Sequence, residues 1–254
     1  MSVRVAVAGA TGKTGSQIAR CIADAPGLEL VGALGSPRTA GRNLGTVLGT
    51  SGLQARIFGD LTELQRECRP DVLVDFTIAE VARNNIFAAV DHGIRAVVGT
   101  TGLPPAVISE FADHCRARGI GAAVIPNFSI GAMLMMRWAR EAARYFPDVE
   151  IIEMHHAAKV DKPSGTALRI ARRISEATDR DGQRDIPIHS VRLPGLMAHH
   201  QIVFGAGGQT VKISHDAMDR SCYCSGVILA ARKVLGLNRA VFDLEDLLES
   251  NDDR

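Results

Sequence analysis

"VRVAVAGATGKTGSQIARCIADA", residues 3–25, runs a β-branched stretch into three glycines and then into an amphipathic one. The valines and alanines of 3–9 suit a strand, and 16–25 carries helical periodicity. Gly9, Gly12 and Gly15 stand at the join, with Thr11, Lys13 and Thr14 between them. Glycine permits a tight turn and close backbone approach, and a helix start offers free N–H groups to a pyrophosphate. The spacing is G-x-x-G-x-x-G; in the G-x-G-x-x-G register Ala10 takes the first glycine's place. No G-K-[ST] follows a glycine in the P-loop frame. An ordinary strand-to-helix turn would need none of this. The position after the first strand favours a dinucleotide site.

Outward from that stretch, short β-branched runs alternate with helical ones. Strands are expected at 29–35, 54–59, 71–77, 95–102 (the last running into a loop) and 121–127, and helices at 62–69, 79–93 and 105–119. That alternation implies a Rossmann-like, doubly wound parallel sheet. The pattern then changes. A long helix is expected over 128–146, a strand over 149–155, and a hairpin over 200–214 around Gly207-Gly208. A second α+β domain with a mixed sheet follows. The expected division is a nucleotide domain of 1–126 and 217–254 and a substrate-binding and oligomerisation domain of 127–216. The chain should close on its substrate between them, with hinges near Asn127 and 215–220. The last helix leads to a frayed acidic tail.

Composition excludes several classes. With 254 residues, a formal charge of +1 and 22% charged residues, nothing draws the whole chain to nucleic acid or an anionic membrane. No run of 18 apolar residues exists and the start lacks a signal-peptide pattern, so a cytoplasmic protein is expected. Five cysteines without paired zinc spacing read as reduced, mostly buried thiols. His199, His200 and His215 lack partners for a metal site, so no metal is expected. Arg169, Arg172 and Arg173 form a solvated basic face without interleaved aromatics.

The second strand ends in LGSPR, with no acid to grip a ribose 2′-hydroxyl. Ser36 and Arg38, with Lys13, suit a 2′-phosphate instead. NADPH is therefore preferred over NADH.

A second dense run is EMHHAAKVDKPSGTAL, residues 153–168. A strand delivers His155 and His156, whose side chains should diverge. Lys159 follows, and Pro163 precedes a helix opened by Ser164, Gly165 and Thr166. Hydroxyls and free N–H groups at a helix start form a carboxylate cradle, beside an imidazole that titrates near neutrality. This suits a small dicarboxylate that receives hydride and a proton.

The run H-H-x-x-K-x-D-x-P-S-G-T-A resembles the signature of the 4-hydroxy-tetrahydrodipicolinate (dihydrodipicolinate) reductases. VDFT (74–77), VVGTTG (97–102), IPNFSIG (125–131), RLPGLMAHHQIVFGAGGQT (192–210) and HDAMDR (215–220) extend the likeness over nearly the whole chain. The resemblance implies an NAD(P)H-dependent oxidoreductase of lysine and diaminopimelate biosynthesis, built as a homotetramer mainly through the mixed sheet. It implies His155 as proton donor, with Lys159 assisting. His156, Ser164, Gly165 and Thr166 would bind the substrate carboxylates. Gly99, Thr100 and Thr101 would line the nicotinamide site, with Phe76, Thr77, Pro126, Asn127 and Phe128 around it. Gly35, where many members carry an acid, and Lys162, where a small residue is common, depart from the pattern. A same-fold reductase of another cyclic imine, or a non-catalytic NADP(H) sensor, are the alternatives.

Overall fold

The computed structural model describes residues 2–178 and 185–249. It divides into two units. One runs to Ser129 and resumes at Tyr223; the other is Ile130–Cys222.

In the first unit the chain alternates β1 (Val3–Ala8), α1 (Lys13–Asp24), β2 (Leu28–Leu34), α2 (Leu44–Leu48), β3 (Ile57–Phe58), α3 (Leu61–Cys68), β4 (Val72–Asp75), α4 (Ala79–Asp91), β5 (Arg95–Val98), α5 (Pro105–Arg118) and β6 (Ala122–Val124). The second unit contains α6 (Ile130–Ala142), β7 (Asp148–His155), α7 (Gly165–Thr178), β8 (Ile188–Arg192), β9 (Ala198–Ala206) and β10 (Gln209–Ala217). The chain then returns to the first unit with α8 (Cys224–Lys233), β11 (Ala240–Val241) and α9 (Leu244–Glu249).

The first sheet is parallel, in the order β11-β6-β5-β4-β1-β2-β3. Its central strands are apolar on both faces because helices cover both; residues 5–8, 72–75 and 96–98 are wholly buried. α1 buries Gly15, Ile18, Ala19 and Ile22, one helical face. Strand order reverses at β1, which has β2 on one side and β4 on the other. The crevice at the strands' carboxyl ends there is where open α/β sheets bind ligands.

The second sheet is mixed, in the order β10-β9-β7-β8, with β7 and β8 parallel and the other pairs antiparallel. Alternate residues of β7 lie on one face. Val149 and Ile151 join Ile202, Phe204, Met135, Ala139, Ile170 and Ile174 in the unit's core. Glu153 and His155 continue the same row to the strand's end.

Three expectations are corrected. The helix expected to reach 146 stops at Ala142, where the Tyr145 and Phe146 N–H groups both turn back to the Ala142 carbonyl just before Pro147; the residue before a proline avoids the helical region. The short elements α2, β8 and β11 were not foreseen. α2 is a single turn capped by the Asn43 side chain, which accepts from the Thr46 N–H. The cysteines are not all free thiols: Cys21 and Cys224, 203 residues apart, are joined. They meet because α8 returns beside α1, a proximity that spacing along the chain does not reveal. The acidic tail beyond 249 lies outside the described residues.

Candidate active site

In the first unit, the glycines of the loop answer to specific close approaches. Gly9 has φ +76°, and a Cβ there would lie 2.4 Å from the Phe76 carbonyl oxygen. A Cβ on Gly15 would lie 2.1 Å from the Gly9 carbonyl oxygen. α1 begins at Lys13 with Gly12 as its N-cap, no side-chain cap and no acid in its first turn. Those N–H groups suit a pyrophosphate, so the residues present fit a dinucleotide. Lys13, Ser36 and Arg38 are exposed. A Cβ on Gly35 would come within 2.6 Å of both Ile57 and the Thr39 hydroxyl, so the position favours glycine over a residue with a side chain.

Asp75, which the sequence reading did not single out, organises the ends of β4 and β5. Wholly buried, its carboxylate accepts from the Thr77 N–H (3.0 Å) and hydroxyl (2.6 Å), the Thr100 hydroxyl (2.8 Å) and the Asn85 amide (2.8 Å). This fixes Thr77 and Thr100. The Phe76 ring lies directly against Gly99, where a Cβ would fall 2.3 Å from it. Phe128 is buried behind, its ring 5.8 Å from that of Phe76. The Asn127 side chain accepts from the Ser129 N–H at 2.9 Å. A mainly apolar cavity of about 330 Å³ brings Thr100, Thr101 and Pro126 together with Leu103, Ile125 and Phe242.

In the second unit, His155 is buried and His156 exposed, as neighbours at a strand end should be. His155 Nδ1 lies 2.5 Å from a Glu153 carboxylate oxygen. Arg192 grips the same carboxylate with two N–H groups, at 2.7 and 2.9 Å. The Ser164 N–H donates to it at 3.3 Å. Burial alone would raise the Glu153 pKa, but hydrogen bonds from Arg192, Ser190 and His155 bring it down to about 2. The His155 pKa is lowered: burial dominates, Lys159 and Arg192 add to it, and Glu153 opposes.

Ser164 is buried and caps α7, its hydroxyl accepting from the Ala167 N–H at 3.2 Å and facing His200 Nε2 at 3.4 Å. Gly165 is exposed and Thr166 half-buried at the helix start. Lys159 is paired with Asp161 at 2.7 Å. The Lys159 hydrogen bond chiefly lowers the Asp161 pKa, and the Gly165 N–H also donates to that carboxylate. The chain's own carboxylate thus sits on Gly165, one of the groups expected to receive a substrate's, and on Lys159, expected to assist the proton donor. Lys162 is exposed.

His199 turns to the other face of the sheet, where it meets Asp216 at 2.8 Å, and the His215 ring packs against Gly131. Among the described residues no His, Cys, Asp and Glu group is placed to hold a metal. None of their helices is long and apolar enough to cross a membrane.

Sequence reading missed Glu153 and Arg192. Glu153 had a signal: residues two apart on a strand share a face. Arg192 had none, because only the β7–β8 register sets it opposite His155.

A glycine-cradled parallel sheet, joined in one chain to a mixed-sheet unit carrying a buried imidazole–carboxylate pair, defines a nucleotide-dependent oxidoreductase. The chain belongs to the dihydrodipicolinate reductase family, whose N-terminal model matches residues 3–128 and whose C-terminal model matches residues 131–248. It is 47% identical over 247 residues to the 4-hydroxy-tetrahydrodipicolinate reductase of Symbiobacterium thermophilum, covering 96% of this chain and 97% of the relative. It is 41% identical to that of Bacillus licheniformis, covering 98% of each. Among solved structures it resembles the dipicolinate-bound dihydrodipicolinate reductase of Paenisporosarcina sp. TG-14, with a TM-score of 0.84 and 35% identity over 97% of this chain and 99% of that one.

Proposed function

We propose that this enzyme reduces 4-hydroxy-tetrahydrodipicolinate, after loss of its hydroxyl as water, to tetrahydrodipicolinate in diaminopimelate and lysine biosynthesis. NADPH is the preferred reductant and NADH the alternative. One observation carries the reading: a buried imidazole, an ammonium and a helix start with Gly165 exposed, gathered on residues 155–166, in a family with a dipicolinate-bound member.

The substrate is a ring with two carboxylates. Lys159, His156, the Thr166 hydroxyl and the Gly165 and Thr166 N–H groups supply the donors for them, and Ser164 holds the helix start in place. Thr100, Thr101 and Pro126 form the wall for a flat amide ring, with Phe76 closing the side at Gly99. A reduced nicotinamide, when bound, supplies hydride to the conjugated carbon of the dehydrated imine. His155 donates its proton to the electron-rich enamine that remains, and Lys159 stabilises the negative charge that develops there. His155 is therefore active as the imidazolium. Its lowered pKa leaves the free site short of that form at neutral pH; two substrate carboxylates beside it favour protonation.

The outer face of the second sheet carries the half-buried Ile152, Met154, Val191 and Val203 in neighbouring positions. This supports assembly through that sheet into a homotetramer, with residues 127–216 as the substrate and assembly domain. The cytoplasm is the compartment this pathway implies.

Freshly generated substrate with NADPH should be turned over by the wild-type chain. His155→Gln should lower kcat by about 100-fold or more, with KM within a few-fold. Near-normal turnover would remove His155 as proton donor. NADPH binding without reduction of this or any cyclic imine would favour the sensor reading.

A further inference from the structure

We infer that Glu153 is a positioning residue for this reaction: its buried carboxylate, clamped by Arg192, holds His155 with the proton on Nδ1 and leaves Nε2 to carry the proton that is transferred. The inference rests on His155 being the proton donor.

A carboxylate buried to 0% exposure is costly unless paired and hydrogen-bonded. Here one oxygen receives Arg192 Nη2 and the Ser164 N–H, and the other receives Arg192 Nη1 and His155 Nδ1. Such a pair is a poor device for stability alone, because apolar residues of similar volume fill a core at least as well. The consequence that apolar residues could not reproduce falls on His155. An ionised carboxylate only accepts hydrogen bonds, so the nitrogen facing it carries hydrogen. Neutral imidazole has one N–H, so Nε2 is then the bare nitrogen and the one that gains and loses the catalytic proton.

The geometry comes from strands rather than loops. Glu153 and His155 alternate on β7, and Arg192 is His155's register partner on β8. Arg192 Nη2 also donates to the Asp161 carbonyl at 2.6 Å, pinning the loop that carries Lys159. The charged and titratable groups around the imidazole are Glu153, Lys159 and Arg192, with the His200 ring 5.3 Å away. Burial and both cations oppose protonation; Glu153 is the group that favours it. When the Nε2 proton passes to the enamine, the N–H electron pair stays on Nε2. The ring is left as the neutral Nδ1–H form that Glu153 already holds. Water reloads Nε2 for the next cycle.

The test compares full-length wild type, Glu153→Gln, Glu153→Asp and His155→Gln. Glu153→Gln should bind NADPH normally and pyridine-2,6-dicarboxylate within a few-fold, while kcat falls on the order of 100-fold. Its alkaline limb in kcat/KM should move to lower pH, because the charge that favours the imidazolium is gone. Glu153→Asp keeps that charge and should keep the limb near the wild-type position at reduced rate. Nitrogen NMR of the wild type, with His155→Gln for assignment, should show neutral His155 protonated at Nδ1. A wild-type limb in Glu153→Gln, or protonation at Nε2, would overturn the inference. If Glu153→Gln does not fold, the wild-type NMR result decides alone. An inactive His155→Gln beside an unmoved Glu153→Gln profile refutes only the role of Glu153. An active His155→Gln refutes the reading beneath it.

Discussion

Acid should loosen the second unit through His200. Its ring is only 4% exposed, meets His155 edge-on at 5.3 Å, and faces the Ser164 hydroxyl. Burial first, then His155, with His215 and His199 adding and Glu153 opposing, lower its pKa from 6.5 to about 4. The unfolded chain takes up this proton near the ordinary value, while the folded chain resists until about 4. Between those limits the unfolded state binds more protons, so stability is complete above 6.5 and declines as pH falls. At about 1.4 kcal/mol for each pH unit, the loss is about 3 kcal/mol. That is a substantial part of the roughly 5–15 kcal/mol that holds a typical domain folded. His200→Gln removes the titration. Urea unfolding, followed by the single tryptophan, Trp138 on α6, should give midpoints that fall more steeply with acid for the wild type. The gap in stability should widen toward about 3 kcal/mol near pH 4. His155 and His215 are lowered in the same direction in both proteins, so they contribute mainly to the shared slope. Parallel curves would mean that His200 is already protonated or solvated in the folded protein, and would refute the reasoning.

Two further outcomes can be checked kinetically. Asp161→Asn removes the carboxylate that occupies Lys159 and the Gly165 N–H. The affinity for pyridine-2,6-dicarboxylate should rise about threefold, the scale of an exposed ion pair; weaker binding would show that Asp161 holds Lys159 in place instead. Ser36→Ala combined with Arg38→Ala should raise the KM for NADPH about tenfold and leave that for NADH within a factor of about two, as expected for loss of charged hydrogen bonds to a 2′-phosphate. Equal effects on both cofactors would remove these residues from phosphate recognition.

The legible parts of the molecule are those whose causes are local. The parallel sheet could be read because its central strands are buried apolar runs and several helices carry a local start or stop: Asp60 caps α3 and Gly119 ends α5. The residues 155–166 could be read because they are contiguous. What escaped was set by distant pairing. Arg192 reaches Glu153 only through the β7–β8 register, and Cys224 reaches Cys21 only because the last helix returns to the first. Asp75 stood in view within VDFT, but its function as a hub depends on Thr100 and Asn85, which belong to the following strand end and helix.

Charge balance ties the second unit's parts together. Glu153 is matched by Arg192, and Lys159 by Asp161, so with His155 neutral these five groups carry no net charge. A dicarboxylate that takes Lys159 from Asp161 would add two negative charges next to an imidazole still able to accept a proton. On the proposed role of His155, substrate binding and loading of the proton donor would favour each other by linkage, each strengthening the other by the same factor. The depressed pKa of His155 works to the same end. A donor already charged in the free site would gain little from the substrate's arrival, whereas one held neutral by burial, as proposed for His155, would become an acid where the anion it must serve is in place.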